Sequence, residues 1–196
     1  MLADTDTSVR QTRITLFALI LAMVLTRFHE IGHLLHLYDA SMAVFFLGGL
    51  LLAKHRLFLA FVLLGITIDV TAISLRGESF FNSHCVTPSY GFLQVAYAVL
   101  WYSGRAVSHR LSTQMTSLLT VAVAGFLASS AAFIISNGSF YWLGGRYAEP
   151  HMAEYLARAW RWGPSYVMTA TAYIGAGLLL WRIFGSHIAR TQTAKA

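Results

Sequence analysis

Long apolar runs recur along the chain, separated by short polar segments. This pattern is typical of a protein that crosses a membrane several times. The runs predict an all-α membrane protein with six transmembrane helices. The predicted spans lie at about residues 14–37, 40–53, 57–75, 90–107, 115–135 and 166–184.

A further short helix is predicted at about residues 150–162, within the longest polar segment. Pro150 suits the first turn of a helix because its missing N–H has no helical partner there. Apolar residues then recur at helical spacing, and Trp160 and Trp162 are typical of a membrane interface. The helix would either anchor the chain at the membrane surface or cover an outward-facing pocket.

Composition places the chain among integral membrane proteins. It is 57% hydrophobic and 11% charged, whereas soluble domains carry about 25% charged residues. The 196 residues fit one membrane domain, residues 1–196. A single cysteine excludes an internal disulfide and cysteine-rich zinc sites.

Basic residues divide unequally between the two sets of loops. Nine of the 14 Lys and Arg residues fall on the side that holds both termini, and five fall on the other. The positive-inside rule therefore predicts that the N and C termini are cytoplasmic. The basic pI of about 9.8 then reflects topology, so we expect membrane lipid around the protein and no nucleic acid as a partner.

The segment 29–33, HEIGH, matches the zinc-protease pattern H-E-x-x-H. On a helix, His29 and His33 would share one face, with Glu30 as the general base. His36 extends the same row. A simple interfacial row of histidines explains these residues with fewer assumptions. The alternative is a zinc-dependent membrane hydrolase, which would also need an acid from a later span.

Asp69 is the acid that falls inside a predicted span. A charged side chain in a membrane costs about 3 kcal/mol on insertion scales, so it usually faces a cavity or a partner. Counting back from Leu75 at 1.5 Å per residue places Asp69 roughly 9 Å below the outer end of its helix. It would line an outward-open pocket, or pair with Arg76.

The loop FFNSHCVTPSYGF, residues 80–92, combines a lone cysteine with a histidine and four aromatic residues. The imidazole of His84 would favour the thiolate of Cys85, a soft metal ligand and a nucleophile. Pro88 would stiffen the loop before the next helix. Aromatic residues here and in the last outer segment would pack on a large flat ligand: Phe80, Phe81, Tyr90, Phe92, Tyr141 and Trp142.

Three stretches carry a resemblance to a known family. CVTPSYGF, AYAVLWYSGR and DASMAVFFLGG, within a six-span chain with short basic inner loops, resemble the BtuM family. These are solitary S-components of the energy-coupling-factor (ECF) type, predicted to take up cobalamin. The similarity is greatest from Cys85 to Arg105 and weak in the two tails.

The resemblance implies a cobalamin or related corrinoid as substrate, captured on the extracytoplasmic side, and no protein-bound zinc. Cys85 matches the position of the cobalt ligand in this family. Ala18 and Ala22 match an A-x-x-x-A pattern on the first span, which would dock on the transmembrane subunit of an ECF module. Such a module would also supply ATPases, since the chain contains no P-loop.

A corrin needs aromatic walls, polar partners for its peripheral amides and one axial donor. Besides the aromatic residues, the polar partners predicted here are Asn82, His84, Asp69 and Arg158. A thiolate bound to one face of cobalt weakens the bond to the opposite ligand. Cys85 would therefore also assist the removal of cyanide, a chemical step added to transport.

Overall fold

The computed structural model describes residues 2–28, 37–82 and 86–193, and these ranges are helical, with no strand. Two 3-10 turns, Phe80–Asn82 and Ser108–Arg110, precede α4 and α5. The predicted all-α fold is thereby confirmed. The six α-helices of the described ranges are α1 (Leu2–Arg27), α2 (Ser41–Leu51), α3 (His55–Leu75), α4 (Tyr90–Ala106), α5 (Met115–Leu143) and α6 (Met152–Thr193).

Four of these helices are long and apolar enough to cross a membrane. The candidate spans are Val9–Arg27, His55–Leu75, Met115–Leu143 and Met152–Phe184. The apolar runs predicted for the first, third, fifth and sixth spans therefore form helices of sufficient length. The multi-pass class follows from these four helices.

The second predicted span, 40–53, is not confirmed as a membrane crossing. Helix α2 has 11 residues, which at 1.5 Å per residue is about 16 Å, half the thickness of the apolar layer. Nine of its residues are buried, so its apolar character reflects a core helix surrounded by other helices. The fourth predicted span corresponds to α4, which has 17 residues and is about 25 Å long.

Two predicted helix boundaries are wrong. The sequence predicts that the first span continues to Leu37. In the structure α1 ends at Arg27, and neither Phe28 nor Leu37 is helical. The separate helix at 150–162 is instead the first part of α6, which continues through Pro164. A proline inside a helix removes one backbone hydrogen bond and clashes with the carbonyl four residues earlier. Its further clash with the Cβ of the preceding residue does not arise here, because that residue is Gly163, which has none.

We call the end of the bundle where α1, α3 and α5 end, and where α4 and α6 begin, the upper end. Helix α2 begins slightly below it. Arg27 contacts both Ser41, the first residue of α2, and Tyr97, which is seven residues into α4. The ring that stacks on Tyr97 is that of Phe45, which is four residues into α2. Helix α4 therefore begins about 5 Å above the start of α2.

Helices α2 and α4 pack with their backbones in close approach. A Cβ on Gly49 would overlap the carbonyl oxygen of Trp101, and one on Gly104 would overlap the carbonyl oxygen of Phe46. Glycine removes the side chain that would separate the two helices. The rings of Phe45 and Tyr97 stack with their centroids 4.1 Å apart, which continues this contact towards the upper end.

We expect Gly49→Ala to destabilise the protein, because its methyl group would push α2 away from α4. Overpacking of this kind typically costs about 1–3 kcal/mol. Thermal unfolding of the purified protein in detergent measures the change. Gly91→Ala is the matched control, since a Cβ there meets nothing within 4 Å. Equal stability for both variants would contradict the close packing.

Candidate functional site

A buried ion pair joins the end of α1 to α3. Arg27 donates from Nε to Asp69 Oδ1 at 2.8 Å and from Nη2 to Asp69 Oδ2 at 2.6 Å. The Arg27 side chain is 7% exposed and the Asp69 side chain 21%. Two parallel charge-assisted bonds fix the mutual orientation of both groups. This geometry holds α1 and α3 in one register.

The remaining guanidinium nitrogen of Arg27 binds α2 and α4. Nη1 donates to Ser41 Oγ at 3.0 Å and to the Tyr97 hydroxyl at 2.5 Å. Asp39 accepts from the backbone N–H of Ser41 at 2.9 Å and from its hydroxyl at 2.6 Å. One carboxylate oxygen of Asp39 also lies 3.8 Å from Arg27 Nη1. One arginine thus links four helices through hydrogen bonds to Asp69, Ser41 and Tyr97.

Tyr90 connects this network to the cysteine loop. Its hydroxyl donates to Asp69 Oδ2 at 2.7 Å, and its ring meets the ring of Phe80 edge-on at 5.7 Å. Phe80 begins the 3-10 turn that leads into residues 83–85, and Tyr90 begins α4 after them. The described residues on the two sides of 83–85 therefore contact each other through Phe80 and Tyr90, and Tyr90 ties them to the Arg27–Asp69 pair.

The connection between α1 and α2 is fixed near the same level. The Thr26 hydroxyl donates to the carbonyl of Ala22 at 2.7 Å and accepts from the N–H of Ala40 at 3.0 Å. On the far side, the Tyr173 hydroxyl of α6 donates to the carbonyl of Tyr38 at 3.0 Å. These bonds place the Asp39 carboxylate, which is 45% exposed, beside the ion pair.

The structure brings together two of the predicted ligand-binding residues, Asp69 and Tyr90. Phe81 and Phe92 flank the same loop and are 83% and 43% exposed, outside the hydrogen-bonded network. Arg158 lies on α6, with its guanidinium 4.8 Å from the ring centre of Tyr147.

Several predicted residues lie outside the described ranges. His84 and Cys85 fall in 83–85, and His29, Glu30, His33 and His36 fall in 29–36. The cobalt ligand and the zinc motif therefore stay predictions. The side chain of Asn82 is likewise outside the description.

The pairing of Asp69 with Arg76 is wrong. Arg76 donates from Nε to the carbonyl of Ala72 at 3.2 Å, and the partner of Asp69 is Arg27. Sequence reasoning assigned Arg27 to an outer loop because it follows the apolar run. The missed signal is general: an acid within a span needs a cation at the same depth, and Arg27 ends a neighbouring span.

Tyr141 does not serve as an exposed pocket wall. It is 1% exposed, and its hydroxyl lies 3.0 Å from Glu154 Oε2 and 3.1 Å from the carbonyl of His151. The N–H of His151 donates to the same hydroxyl at 3.0 Å. Tyr141 therefore fixes the start of α6. Its neighbour Trp142, also predicted as a wall, is 40% exposed.

The two small residues of α1 differ in exposure. Ala18 is exposed, whereas Ala22 is partly buried and packs against the core. Phe17, 67% exposed, and Leu21, 43% exposed, extend the outward face next to Ala18. Helix α1 thus presents an apolar face with a small residue in it, and docking of a partner there stays a prediction.

We expect Arg27→Met to destabilise the protein strongly, because it leaves the Asp69 carboxylate without its cation. Breaking one side of a buried pair costs about 3–5 kcal/mol. Thermal unfolding in detergent measures the loss. Replacing both partners, Arg27→Met with Asp69→Leu, removes the unpaired charge and should recover part of the lost stability.

Arg76→Met is the control for this pair, since that exposed arginine bonds a backbone carbonyl of its own helix. It should change stability by less than about 0.5 kcal/mol. Additive losses in the double variant would mean that the pair contributes no coupling.

Sequence comparisons identify no relative of this chain. No protein-family model matches the chain, and no curated protein sequence matches it.

Proposed function

We propose that this chain captures a corrinoid such as cobalamin on the extracytoplasmic face of a bacterial inner membrane and takes part in its uptake. Cys85 is the axial cobalt ligand in this proposal. The residues around it at the upper end of the bundle supply walls and polar contacts. Four helices long enough to cross a membrane support a membrane location, and the basic inner loops favour this orientation.

The observation that carries the proposal is the anchoring of the cysteine loop at both ends. Phe80 packs edge-on against Tyr90, and Tyr90 donates to Asp69, which is itself held by Arg27. An axial ligand must meet the metal at a fixed distance and angle, so its loop must be rigid on both sides. The described residues on both sides of 83–85 are tied to a four-helix junction, which favours such a geometry.

The surroundings of the loop suit a flat apolar ligand. Phe81 is 83% exposed and Phe92 is 43% exposed, on either side of the Cys85 segment. Large exposed aromatic rings next to polar groups are typical of a binding surface for a large planar molecule. The Asp69 and Asp39 carboxylates retain 21% and 45% exposure, so both can accept hydrogen bonds from peripheral amides.

The same ligation would promote loss of the opposite axial ligand. The Cys85 thiolate donates an electron pair to cobalt(III) and displaces the ligand that occupied that face, and the cobalt–carbon bond to cyanide on the other face lengthens. Cyanide leaves as an anion with the electrons of that bond, so cobalt stays in the +3 state. This substitution needs no oxidant or reductant and would release cyanide before or during uptake.

Transport itself would require an energy source outside this chain. The sequence contains no P-loop, so ATP would be used by an ECF module docked on the outward face of α1 near Ala18. The exposed Ala18 favours close approach of a partner helix at that point. Ala22 is partly buried, so it would contribute less to such an interface than Ala18.

We expect the purified protein to shift the visible spectrum of cyanocobalamin as the thiolate replaces an axial ligand. Cys85→Ser should abolish the shift, because a neutral hydroxyl is a far weaker donor than a thiolate. Free cyanide, measured in parallel, should appear with the wild type alone. An unchanged spectrum for the wild type would refute the proposal.

Tyr90→Phe serves as the second variant in that experiment. It keeps the ring that contacts Phe80 but loses the hydroxyl that binds Asp69, so the loop stays in place with a weaker anchor. Affinity should fall by up to about tenfold, the effect of one hydrogen bond, with the thiolate spectrum retained. Stoichiometric zinc in place of a corrinoid would favour the hydrolase alternative.

A further inference from the structure

Two polar atoms between α5 and α6 are buried without a partner. Asn137 Oδ1 and Arg158 Nε are shielded from solvent, and neither has a hydrogen bond within the part of the chain that the structure describes. A buried polar atom without a partner is costly, so such an atom in a stable fold calls for an explanation. One is an acceptor and the other a donor.

The register of the two helices places these residues opposite each other. Tyr141 of α5 binds Glu154 of α6. Helices α5 and α6 run antiparallel, so one turn further down α5 is Asn137 and one turn further along α6 is Arg158. The Arg158 guanidinium lies 4.8 Å from the ring centre of Tyr147. The ring centres of Tyr147 and Tyr141 are 4.5 Å apart.

Contacts on both sides of this level confirm the register. Above it, a Cβ on Gly138 would lie 3.2 Å from the Tyr155 hydroxyl. Below it, a Cβ on Gly163 would lie 3.0 Å from the ring of Phe133. Asn137 and Arg158 therefore occupy the level between two sets of direct contacts, yet they do not bond to each other. A third group placed between them would satisfy both.

We propose that Asn137 and Arg158 together bind a primary carboxamide of the ligand. An amide N–H donates to Asn137 Oδ1, and the amide oxygen accepts from Arg158 Nε. A carboxamide carries a donor N–H and an acceptor oxygen on the same carbon atom. The inference rests on the proposed function, because a corrin ring carries several such amides on slender arms. Asn137 is thus a binding residue that sequence reasoning did not identify.

The test measures apo stability and ligand affinity in the same variants. Asn137→Leu replaces an unsatisfied acceptor by an apolar group of similar size, so the ligand-free protein should unfold at a higher temperature. Cyanocobalamin binding, titrated by absorbance or calorimetry, should weaken by about tenfold, the loss of one hydrogen bond. If the leucine side chain of Asn137→Leu prevents folding, Asn137→Ala takes its place and should weaken binding in the same way.

A second arm identifies the chemical group. Among the isomeric monocarboxylic acids of cyanocobalamin, each with one amide hydrolysed, one isomer should bind about tenfold more weakly than the parent, since its carboxylate cannot donate to Asn137. Asn137→Leu should abolish that difference. Ser130→Ala, which removes a hydroxyl bonded to the carbonyl of Phe126 on an exposed face, is the control and should behave as wild type.

Each remaining outcome overturns the inference. Unchanged affinity in the Asn137 variants, with a wild type that binds, means that a bridging water fills the gap, and the proposed function then stands without this residue. A fall in both stability and affinity assigns Asn137 a structural role. Failure of the wild type to bind cyanocobalamin removes both the proposed function and the inference.

Discussion

The ion pair of Arg27 and Asp69 is the constraint on which the upper end of the bundle depends. A lone charge within a membrane span costs about 3 kcal/mol, and each of these groups removes that cost for the other. The pair adds little stability compared with apolar residues of the same volume. Its value is orientation, because two parallel bonds allow only one arrangement of α1 against α3.

The position of α2 follows from that pair. The third nitrogen of Arg27 needs acceptors at its own depth, and Ser41 and Tyr97 provide them. Helix α2 therefore begins about 5 Å below the upper end of α4, and with 11 residues it is a short buried core helix. Gly49 lets it approach α4 closely enough for the shared contact to Arg27.

The apolar runs were enough to predict the helical class and four helices of spanning length, because the length of a run limits what it can form. They could not decide the role of residues 40–53, since a core helix enclosed by other helices is as apolar as a short span. Depth could be counted along α3, which placed Asp69 below the end of its helix. Which helix faces Asp69 is decided by packing, so the sequence did not identify Arg27 as its partner.

The unsatisfied acceptor of Asn137 has no signal in the sequence, because only the packed neighbours decide whether an amide finds a hydrogen-bond partner.

The ion pair also bears on the choice between a thiolate ligand and a zinc site. A zinc hydrolase built on the 29–33 histidines would need the carboxylate of a later span, and Asp69 is the acid that its sequence position offers. Both of its oxygens are already occupied, one by Arg27 and the other by Arg27 and Tyr90. A metal ion at this carboxylate would compete with the guanidinium for its negative charge and would place a second cation beside a buried one. The sulfur ligand that we propose on the adjacent loop would need no such exchange, since it would leave every bond of the pair in place.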